Sequence, residues 1–142
     1  LFATFLTVNA VPFQPNKRAI TFRPCPNNFP IDPLIVEMVP ETLSGNELVK
    51  FNVSGIITLY DITKNKTFLD ISFSDVENYR EPTFFVYNKP FDQSYAAKSQ
   101  FSIHVSDVNI PALPKNYFIS VTVEEPEPDP LTIGCASASV SH

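Results

Sequence analysis

Apolar and polar residues alternate with a period of two in several short stretches of this chain. In the clearest stretch, Leu69, Ile71 and Phe73 alternate with Asp70 and Ser72. This period is typical of β-strands that bury one face, and no window of the sequence shows a sustained helical period. Turn residues, mainly Pro, Asn and Asp, separate the stretches. The predicted strands are 19–25, 31–39, 47–60, 67–76, 83–87, 100–105, 116–124 and 131–141.

The composition favours the same fold class. The chain of 142 residues has 14 Pro and only 3 Gly, and so many prolines disfavour long helices. The sequence contains no internal repeat. Seven or eight antiparallel strands of this kind predict one all-β domain, in which two layers of strands bury one face of each strand.

The two cysteines, Cys25 and Cys135, lie in the first and last predicted strands, 110 positions apart. A bond between them would join the two ends of the domain. By the loop-entropy argument, closing a loop of that length contributes about 4–5 kcal/mol. Such a bond would differ from the bridge of antibody domains, because the chain has no Trp to pack against it.

The beginning of the chain has the features of a secretory leader. Residues 1–10 are uncharged and mostly apolar, and Val8-Asn9-Ala10 fits a small-residue cleavage site. We expect residues 1–10 to be the C-terminal part of a signal peptide; the alternative is an N-terminal strand. Residues 11–18 end in a dibasic pair and form a candidate propeptide, unless that pair is simply an exposed one. The domain would then span residues 19–142.

Two triplets match the N-glycosylation acceptor motif: Asn52-Val53-Ser54 and Asn65-Lys66-Thr67. Asn65 lies in a predicted turn and is the better candidate, whereas Asn52 lies in a strand and must face outward to be modified. Together with the leader and the cysteines, these triplets predict a disulfide-bonded glycoprotein. We expect it to be secreted, or to reside in the lumen of the secretory–vacuolar pathway.

The charges and the histidines disfavour several functions. The net charge is −5, or −7 without Lys17 and Arg18, and the basic residues do not cluster. This disfavours nucleic-acid binding and electrostatic attraction to anionic membranes. His104 lies on the polar side of a predicted strand and His142 is terminal, and no cluster has metal-ligand spacing. We therefore expect no enzymatic activity, no metal and no cofactor.

Three segments resemble the ML family of lipid-recognition domains. Residues 22–26 (FRPCP), followed by a strand that begins Ile31-Asp32, resemble the opening of these domains. Residues 110–119 (IPALPKNYFI) resemble the family's proline turn with its Tyr and alternating strand, and residues 131–135 (LTIGC) stand where the family has its last strand. The resemblance covers about residues 20–141. Its nearest members are the fungal phosphatidylglycerol/phosphatidylinositol transfer proteins and the Niemann-Pick-type sterol carriers.

This resemblance implies an immunoglobulin-like, antiparallel two-sheet sandwich whose sheets splay apart around an apolar cavity. It also implies a Cys25–Cys135 disulfide, and a monomer that carries one phospholipid or sterol and contacts membranes transiently. Such a cavity is favourable because each buried CH₂ group contributes about 0.8 kcal/mol. The inward-facing candidates for its lining are Phe51, Val53, Ile57, Leu69, Ile71, Phe73, Phe84, Val86, Phe101, Ile103, Ile119 and Val121.

Two alternatives remain open from the sequence. Phe91 and Tyr95 lie in a predicted loop and would contact a membrane at the cavity mouth if exposed, or they fold back onto the strands. Each lining residue is equally explained by a filled core, because both arrangements need apolar inward faces. The alternative to a lipid carrier is therefore a structural or adhesive extracellular β-sandwich with a closed core.

Overall fold

The computed structural model describes residues 19–26, 31–76, 84–126 and 128–141. Within these ranges the chain forms eight strands and no helix, hence none able to span a membrane. The predicted all-β class is confirmed, whereas the expected leader and propeptide, residues 1–18, lie outside the described residues. The strands are β1 (Arg23–Pro24), β2 (Asp32–Val39), β3 (Glu47–Ile56), β4 (Phe68–Asp75), β5 (Phe84–Pro90), β6 (Gln100–Ile110), β7 (Tyr117–Glu125) and β8 (Leu131–Val140).

The eight strands form one curled sheet. Seven follow one another in the hydrogen-bonded order β5-β4-β7-β8-β2-β3-β6, and β1 pairs with β8. All pairs are antiparallel except β2 with β8, which run parallel over Asp32 and Pro33 before β2 continues along β3. The edge strands β5 and β6 approach each other without pairing, so the sheet is nearly closed and barrel-like. A division into two layers around a cavity stays a prediction.

Strand β6 is longer than its alternation predicts. The expected strand ends at Val105, but β6 continues to Ile110. Asp107 adopts a positive φ of 56°, and the register between β3 and β6 shifts at this point. Such a bulge inserts one residue, so Val105 and Val108 both face the core although they are three positions apart.

Strands β1 and β3 are shorter than expected. β1 is limited to Arg23–Pro24, and before it the Ile20 N–H donates to the Glu41 carbonyl oxygen at 2.9 Å. β3 ends at Ile56, and Asp32 Oδ2 accepts a hydrogen bond of 2.8 Å from the Thr58 N–H. The N–H groups of Ile20 and Thr58, which lie just outside β1 and β3, therefore form hydrogen bonds with other segments of the chain.

The inward faces of the strands form one apolar core. On β4 and β7, Ile71 lies opposite Val121 and Phe73 opposite Ile119, and all four side chains are fully buried. Such cross-strand pairs are the unit by which a sheet gains stability. The predicted inward faces of the two strands are confirmed, although Asp70 and Ser72 on the polar face of β4 are buried as well.

Cys25 and Cys135 form a disulfide, with their Cα atoms 5.6 Å apart. This confirms the pairing that the family resemblance implies. Next to the bond, Pro24 of β1 lies opposite Ala136 of β8. The disulfide therefore fastens the beginning of the domain to its last strand.

Candidate functional site

Nine of the twelve side chains predicted to line a cavity are almost completely buried. Their exposed fractions lie between 0% and 2%. In this conformation these side chains contact protein rather than open space, as in a close-packed core. The nine are Phe51, Val53, Ile57, Leu69, Ile71, Phe73, Phe101, Ile119 and Val121.

The other three predicted residues keep accessible surface, and all lie on the two edge strands. Phe84 and Val86 belong to β5, and Ile103 belongs to β6. Phe84 is 38% exposed, while Val86, Ile103 and the neighbouring Tyr87 are partly buried against the core. These four residues belong to β5 and β6, the two ends of the hydrogen-bonded order of described strands, which do not pair with each other. We call Phe84, Val86, Tyr87 and Ile103 the seam.

Phe84 belongs to a row of aromatic rings that leads from the core to the seam. Its ring stacks on Phe73, with centroids 6.0 Å apart, and Phe73 in turn lies 5.8 Å from the ring of Tyr117. Burial raises the pKa of Tyr117, and the negative charge of Glu47 raises it further. The phenol therefore stays neutral, and the row is uncharged along its length.

Phe91 and Tyr95, the residues expected near a cavity mouth, differ in their exposure. Phe91 is 1% exposed, its ring meets Phe101 edge-on at 5.8 Å, and its N–H donates to the Thr67 carbonyl oxygen. Its side chain folds back onto the core, which is the second of the two alternatives that the sequence left open for Phe91. Tyr95 is partly buried, 5.9 Å from Phe101, and its membrane contact stays a prediction.

Charged groups lie near the seam. The Lys89 Nζ is 5.6 Å from the centre of the Tyr87 ring, which is within cation–π range. Burial raises the pKa of Tyr87, and the negative charge of Asp92 adds to that rise. Tyr87 is therefore neutral at physiological pH, and the exposed Lys89 is a cation beside it.

A buried carboxyl group lies on the polar face of β4. Asp70 is 2% exposed and accepts a hydrogen bond from the Asn88 amide, and the carboxyl group of Glu124 lies close enough to raise its pKa. Burial raises the pKa of Asp70 to about 7; the carboxyl group of Glu124 adds to this rise, and Asn88 opposes it. The sequence gives no sign of this pair, because the two acids meet only through the register that sets Asp70 opposite Thr122.

The two glycosylation triplets have different surroundings. Asn52 faces outward from β3, as modification requires, and its side-chain oxygen contacts Nδ1 of His104 on β6. Asn65 is exposed in the turn before β4, at a φ of 63°. Beside that turn is a groove of about 700 Å³. Its lining consists of Asn65, Lys66, Phe68, Glu125, Pro126 and Pro128.

Within the described ranges, no three His, Cys, Asp or Glu side chains are grouped to hold a metal ion. The features that distinguish the described part of the chain are the apolar seam, the buried Asp70 beside the half-buried Glu124, and the groove beside Asn65. No protein-family model and no curated protein sequence matches this chain significantly.

Proposed function

We propose that this protein binds and transfers a lipid, which enters its apolar interior through the seam. The observation that carries the proposal is the coincidence of two features at one place. The hydrogen-bonded order of strands is interrupted between β5 and β6, and the predicted lining residues that keep accessible surface lie on those two strands.

The cost of opening favours this route. Because β5 and β6 do not pair, moving them apart breaks no backbone hydrogen bond between strands. Separating any other neighbours would break such bonds, and a buried backbone group left unpaired costs about 1–3 kcal/mol. Each CH₂ group of a lipid that enters the interior would contribute about 0.8 kcal/mol in return. A few buried methylenes are therefore enough to offset a modest rearrangement of side chains.

The surroundings of the seam suggest how a lipid would be oriented. Its tail would replace contacts of Phe84 and Ile103, and its head would remain at the surface near Lys89. A cation there suits an anionic phospholipid such as phosphatidylglycerol or phosphatidylinositol; a sterol would use only the apolar part. Phe84 and Tyr95 are the aromatic candidates for transient contact with a membrane during exchange.

The disulfide supports a location outside the reducing cytosol. Structural disulfides persist in secreted proteins and in the lumen of the secretory pathway. The Cys25–Cys135 bond, the leader-like residues 1–10 and the acceptor triplets together favour a secreted or lumenal glycoprotein.

One observation favours a second function, that of a structural or adhesive module with a closed core. Seven predicted lining residues have no accessible surface in this conformation, so their interior is filled. In a closed module these side chains would always occupy the interior. In a carrier they would occupy it only while no lipid is bound. The seven are Phe51, Val53, Leu69, Ile71, Phe73, Ile119 and Val121.

Native mass spectrometry of protein secreted from a eukaryotic host distinguishes the two functions. A carrier is expected to retain a phospholipid or sterol that solvent extraction releases, and to move labelled phosphatidylglycerol between vesicles. Protein that yields no amphiphile, and that fails to transfer either phosphatidylglycerol or cholesterol, would contradict the proposal and support the closed module.

A further inference from the structure

We infer that Asn65 carries an N-linked glycan whose first sugars lie in the groove beside it, and that this glycan is attached before the domain folds. The inference rests on passage through the secretory pathway, which the proposed function assumes. It concerns residues other than the four of the seam and needs no lipid. Three observations on the turn and the groove lead to it.

The turn holds the acceptor triplet in a fixed conformation. The Asn65 N–H donates to the Phe91 carbonyl oxygen at 3.0 Å, and the Phe91 N–H donates to the Thr67 carbonyl oxygen at 2.8 Å. The Thr67 N–H also donates to the Thr63 carbonyl oxygen at 2.9 Å. These bonds fix the backbone on both sides of Asn65, while its side chain remains at the surface.

The hydroxyl group of the triplet is inaccessible in the folded domain. Thr67 is 0% exposed, its hydroxyl donates to Glu125 Oε1 and accepts a hydrogen bond of 2.8 Å from the Thr63 N–H. The acceptor motif requires Ser or Thr at this position, so the transferase must reach that hydroxyl. Because the fold covers it, the sugar has to be attached while the chain is still unfolded.

The groove has the chemistry of a sugar-binding surface. Its volume of about 700 Å³ is within the range of ligand sites in proteins. The carbon surfaces of Phe68, Pro126 and Pro128 suit the apolar face of a pyranose ring, and the side chains of Lys66 and Glu125 suit its hydroxyl and amide groups. A sugar on Asn65 would be tethered to the rim, so its high effective concentration would favour occupancy without strong contacts.

Asn52 provides the internal contrast. Its side chain projects from the middle of β3, contacts His104, and has β2 on one side and β6 on the other. It is not among the residues that line the groove. A glycan at Asn52 would lie over the outer face of the sheet and would not be held by Phe68.

The test begins with protein secreted from a eukaryotic host and treated with a peptide N-glycosidase. We expect the unsubstituted protein and the Asn52→Gln variant to lose the mass of a glycan from the peptide that contains residue 65. The Asn65→Gln variant is expected to lack that glycan. An unmodified Asn65 in protein that has been secreted would overturn the inference.

The position of the sugars is tested by trimming the glycan to its first residue. We expect the trimmed protein to unfold at a higher temperature than the Asn65→Gln variant, and this difference to shrink when Phe68→Ala is introduced into both. Phe68→Ala removes the same protein packing from the trimmed glycoprotein and from the Asn65→Gln variant, so that loss cancels when the two differences in unfolding temperature are compared. If the difference in unfolding temperature between the trimmed glycoprotein and the Asn65→Gln variant is the same with Phe or Ala at position 68, the sugar does not occupy the groove.

The order of events is tested with bacterially produced, oxidised protein and purified oligosaccharyltransferase. The folded domain is expected to remain unmodified, whereas a peptide spanning residues 60–72 is expected to be glycosylated. Equally rapid modification of the folded domain would overturn the order. Lipid analysis of the secreted protein separates the two proposals, because a glycan at Asn65 without bound lipid contradicts only the proposed function.

Discussion

The ring of Phe84 stacks on the ring of Phe73 with centroids 6.0 Å apart, although Phe73 is fully buried and Phe84 is 38% exposed. The two residues lie opposite each other on β5 and β4. A ligand that displaces the Phe84 ring would therefore reach the core at Phe73. This pair marks the boundary between the filled interior and the seam.

Phe84→Asp is expected to reduce lipid binding more than about tenfold, because burying an unpaired carboxylate against an acyl chain costs well over 1.4 kcal/mol. The matched control is Phe85→Asp. Phe85 is the next residue on the same strand, is 59% exposed and lies opposite Ser72 on the other face. Bound lipid is measured by native mass spectrometry, and folding by thermal unfolding. Equal lipid content in two folded variants would exclude the seam as the binding site.

Removal of the disulfide is expected to lower the free energy of unfolding by about 2–5 kcal/mol. The bond closes a loop between residues 110 positions apart, so its loss enlarges the entropy of the unfolded chain. The Cys25→Ser/Cys135→Ser double variant is compared with the oxidised protein by urea denaturation. An unchanged midpoint would mean that strain or residual structure cancels the effect of the cross-link.

Acidification from pH 7 toward pH 4 is expected to increase the contribution of Asp70 to stability. Its pKa is raised from 3.8 to about 7, chiefly by burial. Between these values the folded protein binds a proton that the unfolded chain does not bind, so the free energy of unfolding falls as the pH rises. Below this window both states are protonated, and the contribution no longer depends on pH.

Asp70→Asn tests this assignment, because an amide keeps the size of the carboxyl group and does not titrate. We expect the variant to lose the part of the pH dependence that lies between pH 4 and 7, and to be more stable than the original protein at pH 8. Urea midpoints measured across that range provide the comparison. Parallel curves for the two proteins would assign the pH dependence to other groups.

Gly134→Ala is expected to destabilise the domain by about 1–3 kcal/mol, the usual cost of overpacking. A Cβ atom at this position would lie 2.9 Å from Cδ1 of Ile57 and 2.9 Å from Cδ2 of Leu34, and both side chains are buried. Ser139→Ala, at an exposed position of the same strand, is the control and is expected to change stability little. Urea denaturation measures both variants.

A second substitution checks the cause of that loss. Ile57→Val removes the Cδ1 atom and by itself is expected to cost about 0.5–1.5 kcal/mol. In the Gly134→Ala background it is expected to cost less, or to restore stability, because it relieves the close contact. Additive losses would show that the new methyl group acts elsewhere.

The regular part of this fold was predictable from local sequence. The alternation of Leu69, Ile71 and Phe73 with Asp70 and Ser72 predicts which side of β4 meets the core, because side chains on a strand point to opposite faces. The disulfide was predictable because the described domain contains two cysteines and the family resemblance pairs them.

Features that depend on distant segments were not predictable in this way. The positive φ at Asp107 inserts a bulge that interrupts the alternation, so the second half of β6 was missed. Phe91 follows a polar loop pattern, yet its burial depends on Thr67 and Phe101 from two other segments. At the candidate site, the sequence predicted Phe84 as one of twelve lining residues. Only the order of strands, which places β5 at an edge, separates Phe84 from the residues of the filled core.

The Cys25–Cys135 bond anchors β8, which is the fourth of the seven strands between the two free edges. Two strands, β7 and β4, separate it from the edge strand β5, and two strands, β2 and β3, separate it from the edge strand β6. The cross-link therefore lies at the centre of the sheet, away from both edge strands, β5 and β6. If β5 and β6 separate as proposed, the cross-linked strand need not move, so substitutions at the two edges could change lipid entry without removing the stabilisation that the disulfide provides.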